Sequence, residues 1–315
     1  MCAWGDVEIP DGITGLENFY KLQSIKSLKL GKDVADVSNL TSINDGREIK
    51  DFFTLTVDEN NPYFHMNGNS LIKVENGESK LVLTAPNENG EVEIPGEIKT
   101  LSTGFYGIKE YKEKVTSIKL NEGLEVISQD TNRYFNSSNL ITKIDLPSTI
   151  KQIKLSFSGA CFFTELSYLN EITIGGKSEN DYFKIDNGCL IQKNAYSDGS
   201  DRVIFGYGNV VIPDYITQLS AGPFFNAYSI KKLTIHKNLK SYLDYTIDFA
   251  TFTNTNFIKE IYFNGTMEEL KNPIGSRKSL YETFINRKDN NTLFYYLNDE
   301  GNYVGPYTKE ELKNL

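Results

Sequence analysis

Apolar residues recur along this chain in one short order: apolar, two residues, apolar, one residue, apolar. Clear copies are Ile25/Leu28/Leu30, Phe52/Leu55/Val57, Val115/Ile118/Leu120, Ile141/Ile144/Leu146, Leu169/Ile172/Ile174, Ile230/Leu233/Ile235 and Ile258/Ile261/Phe263. Abbreviated copies stand at Val7/Ile9, Val92/Ile94 and Val210/Ile212. The last two apolar positions are separated by a single residue, the alternation of a strand with one buried face. Ten such signals predict ten short strands, each with its last two apolar side chains turned inward and the residue between them turned outward.

The spacing between copies turns a set of strands into a repeat. Numbered by the middle apolar residue they fall at 7, 28, 55, 92, 118, 144, 172, 210, 233 and 261, so most steps lie between 21 and 28 residues. That is the period of leucine-rich repeats, about 20–29 residues, in which every unit adds one strand to a shared parallel sheet. The two longer steps, of 37 and 38 residues, each hold an inserted cassette. One runs from Asn61-Pro62-Tyr63-Phe64 through Leu71-Ile72 to Val92-Glu93-Ile94-Pro95. The other runs from Asp181-Tyr182-Phe183 through Leu190-Ile191 to Val210-Val211-Ile212-Pro213. The cassettes are 119 residues apart at Phe64 and Phe183 and 118 apart at Pro95 and Pro213, and strands 55/172, 118/233 and 144/261 are 117, 115 and 117 apart. Nested periods of this kind point to the duplication of a module of about four strands, with related halves at about 52–146 and 169–263.

After each strand a second apolar pair marks a return path: Ile13/Leu16, Ile98/Leu101, Leu124/Ile127, Ile150/Ile153, Ile216/Leu219 and Leu239/Tyr242. An aromatic corner then precedes the next strand, at Phe19-Tyr20, Phe105-Tyr106, Tyr134-Phe135, Phe162-Phe163, Phe224-Phe225 and Phe252, where large rings can wedge between stacked coils. Ile9-Pro10, Ile94-Pro95, Leu146-Pro147 and Ile212-Pro213 end strands, because proline cannot donate to a ladder. The expected fold class is a strand-dominated leucine-rich-repeat solenoid of the α/β repeat class. It has about ten stacked parallel strands, two inserted hairpin cassettes and short C-terminal helices.

The Val-x-Ile-Pro string, followed by an apolar pair, an aromatic corner and a Leu/Ile-rich strand, resembles the BspA-like leucine-rich repeats of bacterial and some protist surface proteins. The Asn-Pro-Tyr-Phe to Asn-Gly-Asn-Ser-Leu-Ile cassette and the closing Ile261-Tyr262-Phe263-Asn264-Gly265-Thr266-Met267-Glu268-Glu269-Leu270 are similar to segments that recur there. The resemblance covers about residues 7 to 274. It departs at the corners, where that family often has a small residue and cysteine beside the phenylalanine and this chain has only Ala160-Cys161-Phe162. What it implies is a surface binding or adhesion module with an extracellular or cell-surface location.

Toward the C-terminus Thr266 with Glu269, Ser279 with Glu282 and Thr308 with Glu311 have capping-box spacing, so short helices are expected there. The segment from Leu293 to Leu312, with Tyr295-Tyr296, Tyr303 and Gly305-Pro306-Tyr307, resembles the opening half of a GYF-like module, a domain associated with proline-rich peptides. The expected division is a solenoid over 1–274 and a capping or partial GYF-like segment over 275–315. Met1-Cys2-Ala3-Trp4-Gly5 lacks the charged and apolar regions of a signal peptide, and no apolar run is long enough to cross a membrane. With the surface location that the resemblance implies, a leader would have been removed. Cys2 is then a candidate lipid-bearing residue, with an inert thiol as the alternative.

A net charge of −9 with scattered basic residues argues against nucleic acid as a partner. The three cysteines, at 2, 161 and 189, have no paired framework, and Cys161 and Cys189 are expected as buried thiols. Histidine occurs only at 65 and 236, too far apart for an evident Cys/His or Ser/His pair, and His236, just after a strand triplet, is expected at the surface. Gly175-Gly176-Lys177-Ser178 lacks the earlier glycine and the following helix of a phosphate loop and reads as a turn. Asp58-Glu59-Asn60-Asn61 and Asp198-Gly199-Ser200-Asp201 match no EF-hand and also read as turns. Asn39, Asn136, Asn264 and Asn290 head glycosylation sequons that matter only in a secreted eukaryotic setting. The expectation is therefore a non-enzyme with no cofactor and no metal, monomeric, whose partner is a protein or glycan of a host, matrix or neighbouring bacterium. The outward row of the ten strands runs Glu8, Lys29, Thr56, Glu93, Lys119, Asp145, Thr173, Val211, Thr234, Tyr262. Solenoids commonly recognise partners on this concave face, so Lys119, Asp145, Thr173, Thr234 and Tyr262 are the candidate binding residues, with the two cassettes as a second candidate region. A structural spacer without a ligand of its own is the alternative.

Overall fold

The computed structural model describes residues 5–16, 25–38, 54–102, 115–128, 140–156, 161–219, 222–224, 227–239, 241–242, 257–272, 280–286 and 291–315. Every one of the ten predicted strands is present. The chain divides into two compact units, Met1–Ile141 with Leu146–Ile150, and Thr142–Asp145 with Lys151–Leu315.

In the first unit Gly5–Glu8, Ile25–Leu30 and Thr54–Val57 stack as parallel neighbours, with Val7 opposite Leu28 and Leu28 opposite Leu55. Glu91–Ile94 pairs in parallel with Ser117–Leu120, Val92 facing Ile118. The return path makes a second parallel ladder, in which Thr100–Leu101 lies beside Val126–Ile127. Lys143–Leu146, whose residues 143–145 fall in the second unit, lies beside Glu171–Ile174. The strands Asn209–Val211, Lys232–His236 and Glu260–Asn264 follow in one parallel ladder with Val210, Leu233 and Ile261 in register. Gln218–Leu219 pairs with Ser241–Tyr242 on that unit's return path.

Inward positions are buried as the alternation requires, except Val7, Leu55 and Val57, which are half-buried. Leu28, Leu30, Val92, Ile94, Leu146, Leu233 and Ile235 have no exposed surface, and neither do the leading apolar residues Val115, Ile141, Leu169, Ile230 and Ile258. Each fully buried side chain of this size contributes about 1.5–3 kcal/mol. Among the aromatic corners, Phe162, Phe163 and Phe224 are fully buried, with Phe163 stacked on Phe205 at 5.5 Å. The corners at 19–20, 105–106, 134–135, 225 and 252 lie outside the described residues, as do Cys2, the 279 cap and the sequons at 39, 136 and 290.

Proline does stop the strands, and it starts a turn of one kind. The carbonyls of Pro10, Pro95, Pro147 and Pro213 accept from the N–H three residues on, at Ile13, Ile98, Ile150 and Ile216. Gly31, Asp58, Asn121 and His236 close the same turn in copies that lack the proline. The cassettes are three-stranded antiparallel sheets, Phe64–Asn67, Ser70–Glu75 and Glu78–Thr84 in one and Phe183–Asp186, Cys189–Gln192 and Arg202–Gly206 in the other. Both begin on the same device: the Asn61 Oδ1 accepts from the N–H groups of Tyr63 and Phe64, and the Asn180 Oδ1 from those of Tyr182 and Phe183. Phe64 and Phe183 are buried in matching places.

The C-terminal segment holds more than its spacing showed. Leu293–Leu297 and Tyr303–Tyr307 form an antiparallel hairpin, and a helix, Lys309–Lys313, follows from a complete capping box at Thr308 and Glu311. Leu293–Leu297 also pairs in parallel with Glu260–Asn264, setting Ile261 opposite Phe294 and Tyr262 opposite Tyr295. That ladder thus gains a fourth parallel strand, one beyond the ten that the spacing marks. A second capping box, at Thr266 and Glu269, opens Met267–Lys271 as expected. No helix among the described residues is long and apolar enough to cross a membrane.

Candidate functional site

The outward row was the first candidate, and its members meet different fates. In the first unit the Lys119 Nζ lies 2.7 Å from the Glu93 Oε1 on the adjoining strand, and both side chains are exposed. The Asn121 Nδ2 donates to the same Glu93 oxygen at 2.8 Å. These two donors hold the Glu93 carboxyl below its ordinary value. Lys29 makes the equivalent bond with Glu8 one ladder earlier, at 2.8 Å.

Asp145, Thr173, Thr234 and Tyr262 belong to the second unit. The Asp145 Oδ1 accepts from the Thr173 hydroxyl at 2.6 Å and from the Gly176 N–H at 3.0 Å. Gly175 and Gly176 both have positive φ, and Ile174 and Lys177 exchange backbone bonds across them, so this glycine pair is a tight turn, as expected. Thr234 lies between Val211 and Tyr262 in register and is only 6% exposed, so its hydroxyl is not offered to a partner.

Tyr262 stands in an aromatic group that the row read from sequence did not contain. Its ring stacks face to face on Tyr295 at 4.3 Å with an interplanar angle of 1°, and Tyr303 meets it edge-on at 5.0 Å. The Lys232 Nζ sits 3.8 Å from the Tyr262 ring centroid. Its hydroxyl donates to the Glu260 Oε2 at 3.1 Å. Burial, then the Glu260 carboxylate, push the Tyr262 phenol well above its usual range. Tyr303 is 45% exposed and its hydroxyl reaches the Asn264 side chain. The missing signal was the parallel pairing of 293–297, which places Tyr295 beside Tyr262 although the apolar triplet spacing is not repeated there.

Other candidate chemistry resolves into structure. Contrary to its expected surface place, His236 is the last residue of its strand and 3% exposed. Its Nε2 bonds the Ile216 carbonyl at 3.0 Å while the Nδ1 is buried with no hydrogen-bond partner. Burial pulls its pKa below the ordinary histidine value, against the smaller opposing pull of Asp214 and the carbonyls of Ile216 and Pro213. Cys161 and Cys189 are buried and not joined in a disulfide, as expected, and burial pushes the Cys189 thiol far up. Asp58 caps the N–H of Asn60, and Asp198 that of Ser200, in the expected turns. Among the described residues no group of three or more His, Cys, Asp or Glu is placed to hold a metal.

Comparison with known proteins adds a family. The description "BspA type Leucine rich repeat region" matches residues 89–196 and 205–297, in six copies. No curated protein is significantly similar. A solved structure, that of a leucine rich cell surface protein from Faecalibacterium prausnitzii A2-165, is similar at 12% identity. The likeness covers 80% of this chain and 82% of that one at a TM-score of 0.36, too loose to bear on the details of the fold.

Proposed function

Because this chain belongs to the BspA-type leucine-rich repeat family, we propose that it is a non-catalytic binding and adhesion protein of the cell surface or extracellular space. Its partner is a protein or glycan of a host, matrix or neighbouring bacterium, engaged through outward side chains of the strand ladders and the cassettes. The observation that supports this reading is the division of labour along each strand. Inward residues are Leu, Ile or Val at every position but Phe263, while the outward ones change from each coil to the next and reach solvent at most positions. A ladder of this kind changes what it recognises without disturbing its core.

A specific observation also favours a second reading, a spacer with no ligand of its own. The five candidate side chains are engaged internally: Lys119 with Glu93, Asp145 with Thr173, Thr234 by burial, Tyr262 between Lys232 and Tyr295. The test is a pulldown of residues 1–315 against extracellular-matrix proteins and mucins, beside a folded variant carrying Lys119→Ala, Asp145→Ala and Tyr262→Ala. The binding reading expects saturable capture that the variant loses. No capture by either would favour the spacer, and equal capture by both would place recognition away from these three side chains.

A further inference from the structure

Within the first unit the 67–69 turn of the first cassette, the loop after it, the strand Glu91–Ile94 and Asn121 line an open cleft of about 330 Å³. Its walls are built from Asn67, Asn69, Asn87, Glu91, Glu93 and Asn121, over a floor that includes Pro95. The polar groups are held in place. The Asn87 Oδ1 accepts from the N–H groups of Asn89 and Glu91, and its Nδ2 donates to the Glu91 carboxylate at 2.9 Å. Asn121 and Lys119 fix Glu93 from the other side, and Asn67 donates to Glu97 at 2.8 Å. We propose that this cleft is a saccharide site, taking one or more neutral sugar residues of a surface or matrix glycan.

Charge and hydrogen-bonding chemistry select that class. Two carboxylates line the cleft and repel an anionic ligand, and Lys119, which pairs with Glu93, is not among the lining residues. Among the described residues no group of three or more His, Cys, Asp or Glu is placed to hold a metal, here or elsewhere. Six of the ten lining residues are Asn or Glu, so the cleft presents side-chain donors and acceptors for a polar ligand to meet. A neutral ligand rich in hydroxyls, each both donor and acceptor, matches carboxamides that offer both and carboxylates that accept. The volume lies at the lower end of small-molecule sites, about 300–1,000 Å³.

The duplicated module supplies an internal comparison. Ala85 N–H bonds the Asn69 carbonyl as Tyr207 N–H bonds the Gly188 carbonyl, so these positions correspond. From there the first cassette uses residues 85–90 to reach its next strand at Glu91, whereas the second uses only Tyr207 and Gly208 to reach Asn209. The shorter link closes on the backbone: a Cβ at Gly188 would lie 2.7 Å from both the Tyr207 and Asn209 carbonyl oxygens. The polar lining is lost with it, since Glu93 corresponds to Val211 and Asn121 to the buried His236. The longer loop supplies Ala85 and Asn87 to the cleft of the first copy, whereas the two-residue link of the second has nothing beyond Tyr207 and Gly208.

This inference deepens the binding reading above and rests on it, but it places a ligand class at the cassette rather than along the strand face. The test is isothermal titration of the full chain with neutral disaccharides (lactose, maltose, cellobiose, chitobiose) and with sialyllactose, for the parent and for Asn121→Ala, Ala85→Phe and Asn209→Ala. At least one neutral disaccharide should bind saturably. Asn121→Ala and Ala85→Phe should each weaken it about tenfold or more with melting temperatures within about 2 °C of the parent. Asn209→Ala, in the other cassette, should leave it unchanged. Failure of every neutral sugar to bind, tighter binding of sialyllactose, or binding that survives Ala85→Phe would overturn the proposal. Matrix-protein capture that persists in that event would leave the strand-face reading standing, so the two fail separately.

Discussion

Gly123 shows how closely the coils approach one another. It has a φ of +109°, and a Cβ there would overlap the Gly96 carbonyl oxygen on the neighbouring coil, while its N–H donates to the Thr149 hydroxyl at 2.9 Å. Gly123→Ala is therefore expected to cost about 2–3 kcal/mol, read as a lower urea midpoint at unchanged m-value. His236 carries the pH prediction. Its folded pKa is lowered by burial, so the unfolded chain binds the proton more readily and stability falls as pH drops below about 6.5, the unfolded value. His236→Gln should flatten that loss, seen as a smaller drop in melting temperature between pH 7.5 and 5.5 than the parent shows. An equal drop in both would put the acid sensitivity elsewhere. Neither residue was legible in these roles. The triplet pattern marks inward and outward positions within a strand but not the register across coils, and that register decides what meets Gly123 and what buries His236.

At the scale of elements the legible part was large. Apolar triplets located seven strands and their abbreviated copies three, proline located four turns, and hydroxyl/carboxylate spacing located the caps at 266 and 308, because each of these is a local rule in which neighbouring residues carry the cause. The cassettes were legible as related inserts but not as three-stranded sheets, since their third strands, Glu78–Thr84 and Arg202–Gly206, share little sequence. What they share is the asparagine before the first strand. Asn61→Ala and Asn180→Ala should each lower stability by about 1–2 kcal/mol, because each leaves two backbone N–H groups without their acceptor. Urea unfolding of the two variants, followed by tyrosine fluorescence, checks this; a loss below about 0.5 kcal/mol in both would mean that water replaces the side chain at no cost.

Across the molecule, the sheet that carries Tyr262 continues into the C-terminal hairpin. The pairing of Leu293–Leu297 with Glu260–Asn264 covers a strand edge, and Phe284 and Phe294 pack together at 5.2 Å beneath it. A chain ending at residue 274 exposes that edge, so it should melt lower than the full chain and associate in a concentration-dependent way, measured by light scattering. A truncated chain that stays monomeric with the parent's melting temperature would show that the hairpin is a mere appendage. The candidate site was the least legible feature. Its row could be named from alternation, but Tyr295 and Tyr303 came from a segment with a different spacing, and the cleft takes Ala85 and Asn87 from a loop that is longer in one copy than in the other.

The most direct test of binding by this surface is surface plasmon resonance of residues 1–315 over immobilised mucin and matrix proteins, comparing the parent with the folded Lys119→Ala/Asp145→Ala/Tyr262→Ala and Ala85→Phe variants. A saturable response from the parent that at least one variant loses by about tenfold is the predicted result. No saturable response on any surface, or identical responses from all three proteins, would contradict recognition by either the strand face or the cassette.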